Sequence, residues 1–235
     1  MTFQISPQFL DSKLQPGCTL EDKIDVFEDR MNGWLLQHAN ALLDEKYTRR
    51  KDAGFAVLAL VTGYFEPIES YHSGRSSDHQ SKAFFRRGFL RVFLNLPATL
   101  KSNGFAGADQ LAVEIAEEVY IHLRCGLFHE GGTKHKLVVR QDTAPLGFML
   151  DVTTGDVGSI VIDPGKFLAE VQNHLNNYVS QLRNTSETSL RQNFETFFDL
   201  KMSSPQPTIC PRFRATRRRA IHRRWSPGPP RHRCV

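Results

Sequence analysis

From residue 20 to residue 129 apolar side chains return every three or four positions, alternate instead between residues 136 and 163, and then resume the helical period. A chain with this rhythm must pack helices around a short stretch of sheet. The expected class is therefore mainly α within α+β, a helical bundle with a small antiparallel β-sheet inserted before its C-terminal helices.

The elements follow from local chemistry. Thr19 and Asp22 form a capping-box pattern ahead of Leu20, Ile24, Phe27, Met31, Trp34, Leu35, Leu42 and Leu43, which predicts one long first helix. Asp52 is placed to cap a second helix carrying Phe55, Val57, Leu58, Leu60 and Val61. Pro67 lacks the amide hydrogen a helix interior needs, so a kink or break is expected just before it. A third aromatic-rich helix carries Phe84, Phe85, Phe89, Val92 and Phe93. A fourth runs from Asp109 to His129, with Gly131 and Gly132 able to stop it. "KLVVR", "GFMLDV" and "GSIVID" read as strands, the last two joined through "TTGD" as a hairpin. Asp163 is a natural N-cap with Pro164 at the first helical position, and "ETSLRQNFETFFDLKM" supplies a closing amphipathic helix.

Charge divides the chain in two. The formal charge is +5, but residues 203–235 hold nine arginines and no acid, leaving 21 basic residues against 25 acidic ones in residues 1–202. The folded domain is expected over 1–202 and a disordered arginine-rich tail over 203–235. Such a tail suits nucleic-acid phosphates, or else marks an altered reading frame; the basic pI in either case says nothing about the body. The opening residues "MTFQISPQFL", without a basic start or a long apolar run, are not expected to act as a secretory signal, and the longest apolar run, Gly54 to Phe65, is too short to cross a bilayer. Four cysteines without a C-x-x-C pair fit a reducing cytoplasm, so the expected location is cytoplasmic and no membrane contact is expected.

The segment "EEVYIHLRCGLFHEGG" carries the chemistry. Arginine grips phosphate in a bidentate fork and steadies developing negative charge, while histidine moves a proton near neutral pH. On an α-helix Arg124 and His129 would stand about 140° apart, at 100° per residue. A loosened helix end or a facing partner chain would be needed to bring them together.

Arg124, "CGLF" and His129 form the R-x4-H signature of HEPN domains. With "GYFEPIESYHSGRSS", "SKAFFRRGFLRVF", "HLRCGLFHEGGTKHKLVV" and "IVIDPGKFLAEVQNHLNNYVSQL", the chain resembles uncharacterised bacterial HEPN-like proteins over most of residues 20–183. The resemblance implies a HEPN-like helical bundle and a metal-independent endoribonuclease acting by 2′-hydroxyl attack. It makes Arg124 the phosphate clamp and His129 the proton-transfer group. One R-x4-H within residues 1–202 implies a homodimer with the cleft between subunits. A toxin–antitoxin or defence partner belongs to the same expectation, and Cys125 stands where active members often carry a polar residue.

Around this pair, Glu66 and Glu69 are candidates to orient Arg124 or to act as acid and base, and Cys125 is a candidate supporting group. Lys134, His135 and Lys136 are candidates to widen an RNA-binding surface. Neither a metal nor an organic cofactor is expected: there is no HxxxH or HExxH spacing, P-loop, G-x-G-x-x-G or G-x-S-x-G. The alternative is a non-catalytic HEPN-like module binding a nucleotide, RNA or protein, or a purely structural dimer.

Overall fold

The computed structural model describes residues 2–44, 53–130, 136–151 and 153–203. Thr19 Oγ1 accepts from the Asp22 amide at 3.2 Å and Asp22 Oδ2 accepts from the Thr19 amide at 2.8 Å, so the capping box opens α1 (Leu20–Met31) as expected. The predicted long helix continues to Leu43, but through a wide π-turn over Asn32–Leu36 before α2 (Gln37–Leu43). Gly33 in that turn lies against Pro7, where a Cβ would come within 2.3 Å of the proline ring.

The second helix, α3 (Ala53–Thr62), has its expected Asp52 cap outside the described residues. The break falls at Gly63 and Tyr64, and Pro67 sits in the first turn of α4 (Phe65–Ser73). There an amide hydrogen would have no helical acceptor, so proline is tolerated. Gly74, at φ +67°, takes the left-handed conformation that ends α4.

Next, α5 (Ser81–Val92) crosses α4 at Gly88, and α6 (Leu96–Ser102) turns the chain into α7 (Ala108–Val119). Then α7 widens into an 11-residue π-helix, Tyr120–Glu130. The expected glycine stop at 131 and 132 lies outside the described residues.

The three strands are β1 (Leu137–Val139), β2 (Leu146–Leu150) and β3 (Val157–Ile162). β2 and β3 pair antiparallel, with Asp151 Oδ1 accepting from the amides of Thr153 and Thr154 and Gly155 at φ +77° in the turn. The sheet as a whole is mixed rather than antiparallel: its order is β1-β3-β2, and β1 runs parallel to β3. The reason lies in residues 140–145. Arg140 prolongs the pairing by donating to Ile162 O, and Thr143 is tied to Asp163, so the chain crosses over and delivers β2 to the far edge. The strand left in the centre contains the fully buried Ile160 and Ile162.

Asp163 Oδ1 accepts from the amides of Gly165 and Lys166, opening α8 (Pro164–Arg183) as the sequence predicts, and α9 (Thr188–Ser203) closes the fold. Aromatic rings join the helices. Phe65 meets Phe85, Phe89 and Phe167 edge-on at 5.1–5.8 Å between centroids, and Phe27 meets Tyr71 and Phe194 at 4.6 and 5.3 Å. Burying such rings is the largest apolar contribution any side chain makes. Thus a helical, α+β body with a small sheet before its last helices stands as read. Apart from Ser203, which ends α9, the arginine-rich stretch lies outside the described residues. No helix among the described residues is long and apolar enough to cross a membrane.

Candidate functional site

Arg124 and His129 both lie on the π-helix that continues α7. A winding that bonds residue i to residue i+5 holds roughly 4.4 residues per turn, so five residues advance by about 50° beyond a full circle. The spacing that would separate the pair on an α-helix thereby places them on neighbouring bearings of one helix face. His129 is exposed, while the Arg124 side chain retains 31% exposure.

Tyr120 and Glu66 both flank Arg124. Its guanidinium carbon lies 5.9 Å from the centre of the Tyr120 ring, one turn earlier. Its Nη2 lies 3.8 Å from Oε2 of Glu66, at the start of α4. That carboxylate is itself fixed: Ser77 Oγ donates to Oε1 at 2.6 Å and Ser81 Oγ to Oε2 at 2.5 Å. Glu66 therefore stands beside Arg124 with its carboxylate held in place.

Glu69 does not join them. Its side chain is 3% exposed, and its two oxygens accept from Arg87 Nε at 2.7 Å and Arg91 Nε at 2.6 Å. Cys125 is half-buried with a free thiol. Of the basic trio, Lys134 and His135 lie outside the described residues. Lys136 donates to Val157 O at 3.1 Å and stands 3.6 Å from Glu118, so its ammonium is engaged with the body. Glu118 also lies 2.7 Å from Nε2 of the buried His122.

Apart from Glu117, which the sequence offers as a possible ion-pair partner of Arg124, the next neighbours are not legible in the sequence. A depression of about 270 Å³ is lined by His79, Ser81, Lys82, Arg86 and Glu117 among others, and Ser81 links it to Glu66. Glu117 accepts from Lys82 at 3.1 Å and Arg86 at 2.8 Å, and Lys82 first of all holds its carboxyl below the usual carboxylate range. His79 adopts φ +58°, a conformation uncommon outside glycine and asparagine. The signal for Ser77, His79, Ser81 and Lys82 lies in "GRSSDHQSK", but a polar turn followed by a lysine reads as solvated surface until the fold turns its serines onto Glu66.

A second polar cluster, around His72, His174 and Tyr178, lies in a larger cleft beside α8. No protein-family model, curated protein or solved structure matches the chain.

Proposed function

We propose that this protein is a metal-independent endoribonuclease whose cleft forms when two copies bring their Arg124–His129 faces together. The observation that carries the reading is the π-winding of Tyr120–Glu130, which turns a five-residue spacing into a shared face. In this role Arg124 binds the scissile phosphate in a bidentate fork, with Glu66, Ser77 and Ser81 setting the angle of its guanidinium. His129, exposed at the outer end, takes the proton from the attacking 2′-hydroxyl or delivers one to the leaving 5′-oxygen. Displacement of that oxygen leaves a 2′,3′-cyclic phosphate. Lys82 and Arg86, which share the one carboxylate of Glu117, leave one net positive charge for the flanking strand.

The test is cleavage of a mixed-sequence RNA in EDTA by wild type, Arg124→Ala and His129→Ala, with the oligomeric state measured in parallel. Each variant is expected to lose about 100-fold or more in rate while keeping its fold. Equal cleavage by all three proteins removes both residues from catalysis.

A second reading, a non-catalytic RNA-binding module, is favoured by the half-buried Cys125, which puts an apolar-behaving thiol next to the clamp. Retention of RNA without cyclic-phosphate product selects it.

A further inference from the structure

A cleft of about 630 Å³ opens between α8 and the corner where α5 passes into α6, and Ala144, Pro145 and Leu146 close one end. Neither Arg124 nor His129 lines it, so it is independent of the RNA reading. The size falls in the range of small-molecule sites, roughly 300–1,000 Å³.

Its two walls differ in chemistry. Along α8, Glu170, Asn173, His174, Asn177 and Gln181 recur at helical spacing and form a hydrogen-bonding stripe beside the buried apolar one. Facing them, Val92, Phe93, Leu94 and Leu96 give an apolar wall, and Leu94 is 75% exposed. Between the walls sit three rings: His72 and Tyr178 are 4.4 Å apart between centroids, and His174 stacks on Tyr178 at 6.3 Å.

Two polar atoms in this group stand out. Tyr178 is 2% exposed, yet its hydroxyl meets no hydrogen-bonding partner among the described residues, and neither does the buried Nε2 of His72. His174, by contrast, is 2.9 Å from the Tyr64 hydroxyl through Nδ1. Buried polar groups normally have partners.

Charge narrows the class of ligand. Among the residues lining the cleft, Arg91 carries the permanent positive charge and Glu170 the carboxylate. Arg91 gives only its Nε to Glu69 in that pair, and its side chain is 41% exposed, so its terminal nitrogens remain available to a bidentate anion. Burial first, and then Arg91, keeps both imidazoles uncharged, with His72 held down to about 3 and His174 to about 4.

We propose that this cleft binds small organic acids with an apolar body. The carboxylate lies at Arg91, receives the Tyr178 hydroxyl and the His72 Nε2–H, and leaves its hydrocarbon against Phe93 and Leu94. Glu170 separates two sources of that chemistry. An amino acid would set its ammonium toward Glu170, whereas a simple carboxylic acid would not use it.

Isothermal titration of the full chain at pH 7 with 3-phenylpropanoate, L-phenylalanine and 3-phenylpropanamide tests this. One or both acids should bind one per chain, at least about tenfold tighter than the neutral amide, as an ionic hydrogen-bonded contact requires. Tighter binding of phenylalanine assigns an amino acid; tighter binding of phenylpropanoate assigns a simple acid. Arg91→Gln should weaken binding about tenfold or more. Tyr178→Phe removes a hydroxyl that has no partner in the described fold, so it should weaken binding about threefold or more with an unchanged melting temperature. No binding of either acid, equal binding of the amide, or undiminished binding in both variants overturns the proposal.

Discussion

A Cβ built on Gly88 would stand 1.8 Å from the backbone carbonyl oxygen of Phe65. The two helices therefore touch main chain to main chain at this point, and the rings of Phe65, Phe85 and Phe89 interlock around the crossing. Because the obstacle is backbone, Gly88→Ala can be accommodated only by moving α4 away from α5. The expected loss is about 2 kcal/mol or more, read as a lower urea midpoint. An unchanged midpoint would show that the helices do not cross this tightly.

Glu69 holds two arginines of α5 from a buried position on α4. Glu69→Ala leaves Arg87 and Arg91 adjacent without their shared anion. Both arginines are about two-fifths exposed, at 43% and 41%, so solvent absorbs part of the penalty. A loss of about 2 kcal/mol is expected. Urea unfolding of Glu69→Ala, Arg91→Gln and the double variant should give less than the sum of the single effects, since the residues share one network.

The two cleft histidines make stability depend on pH. In the folded chain burial holds His72 to about 3 and His174 to about 4, below the ordinary value of 6.5. The unfolded chain takes up protons on these rings near pH 6.5, while the folded chain does not until pH 3–4. Stability is therefore complete above the unfolded value and falls as pH drops from 7 toward 4, by at most about 1.4 kcal/mol per pH unit for each ring. Urea midpoints between pH 7 and pH 5, a window above most carboxylate titration, should decline in wild type. They should decline less in the His72→Gln, His174→Gln double variant. Parallel declines would refute the assignment.

Asp163 ties the sheet to α8, accepting from Gly165 at 3.0 Å, Lys166 at 3.1 Å and Thr143 at 3.4 Å. Asp163→Ala should lose about 1–2 kcal/mol, as N-cap deletions do. Amide hydrogen exchange should accelerate at Gly165, Lys166 and Thr143 together, because one carboxylate serves all three. Acceleration at the helix start alone would place Thr143 outside its reach.

Local chemistry made several elements legible before any coordinates. Thr19 with Asp22, Asp163 with Pro164, and the "TTGD" turn each satisfy their own backbone groups within a few residues, so the sequence specifies them without tertiary help. The parallel pairing of β1 with β3 was not legible, because the edge that β2 joins is decided by how residues 140–145 settle over the start of α8. The R-x4-H pair could be found as a motif, but its shared bearing depends on π-winding, which leaves no period of its own in eleven residues. The α8 polar stripe was hidden for a different reason. Asparagine, glutamine and histidine beside an apolar stripe look like solvated surface until a second wall arrives from α5 and α6.

The winding of the eleven residues from Tyr120 to Glu130 also sets an aim. Rewinding them to the α pitch would exchange each main-chain bond for another of the same kind, yet swing His129 by about 90° relative to Arg124. A change in helical pitch alone would be enough to take the imidazole out of line with the guanidinium, and it would turn the buried Leu123 as well.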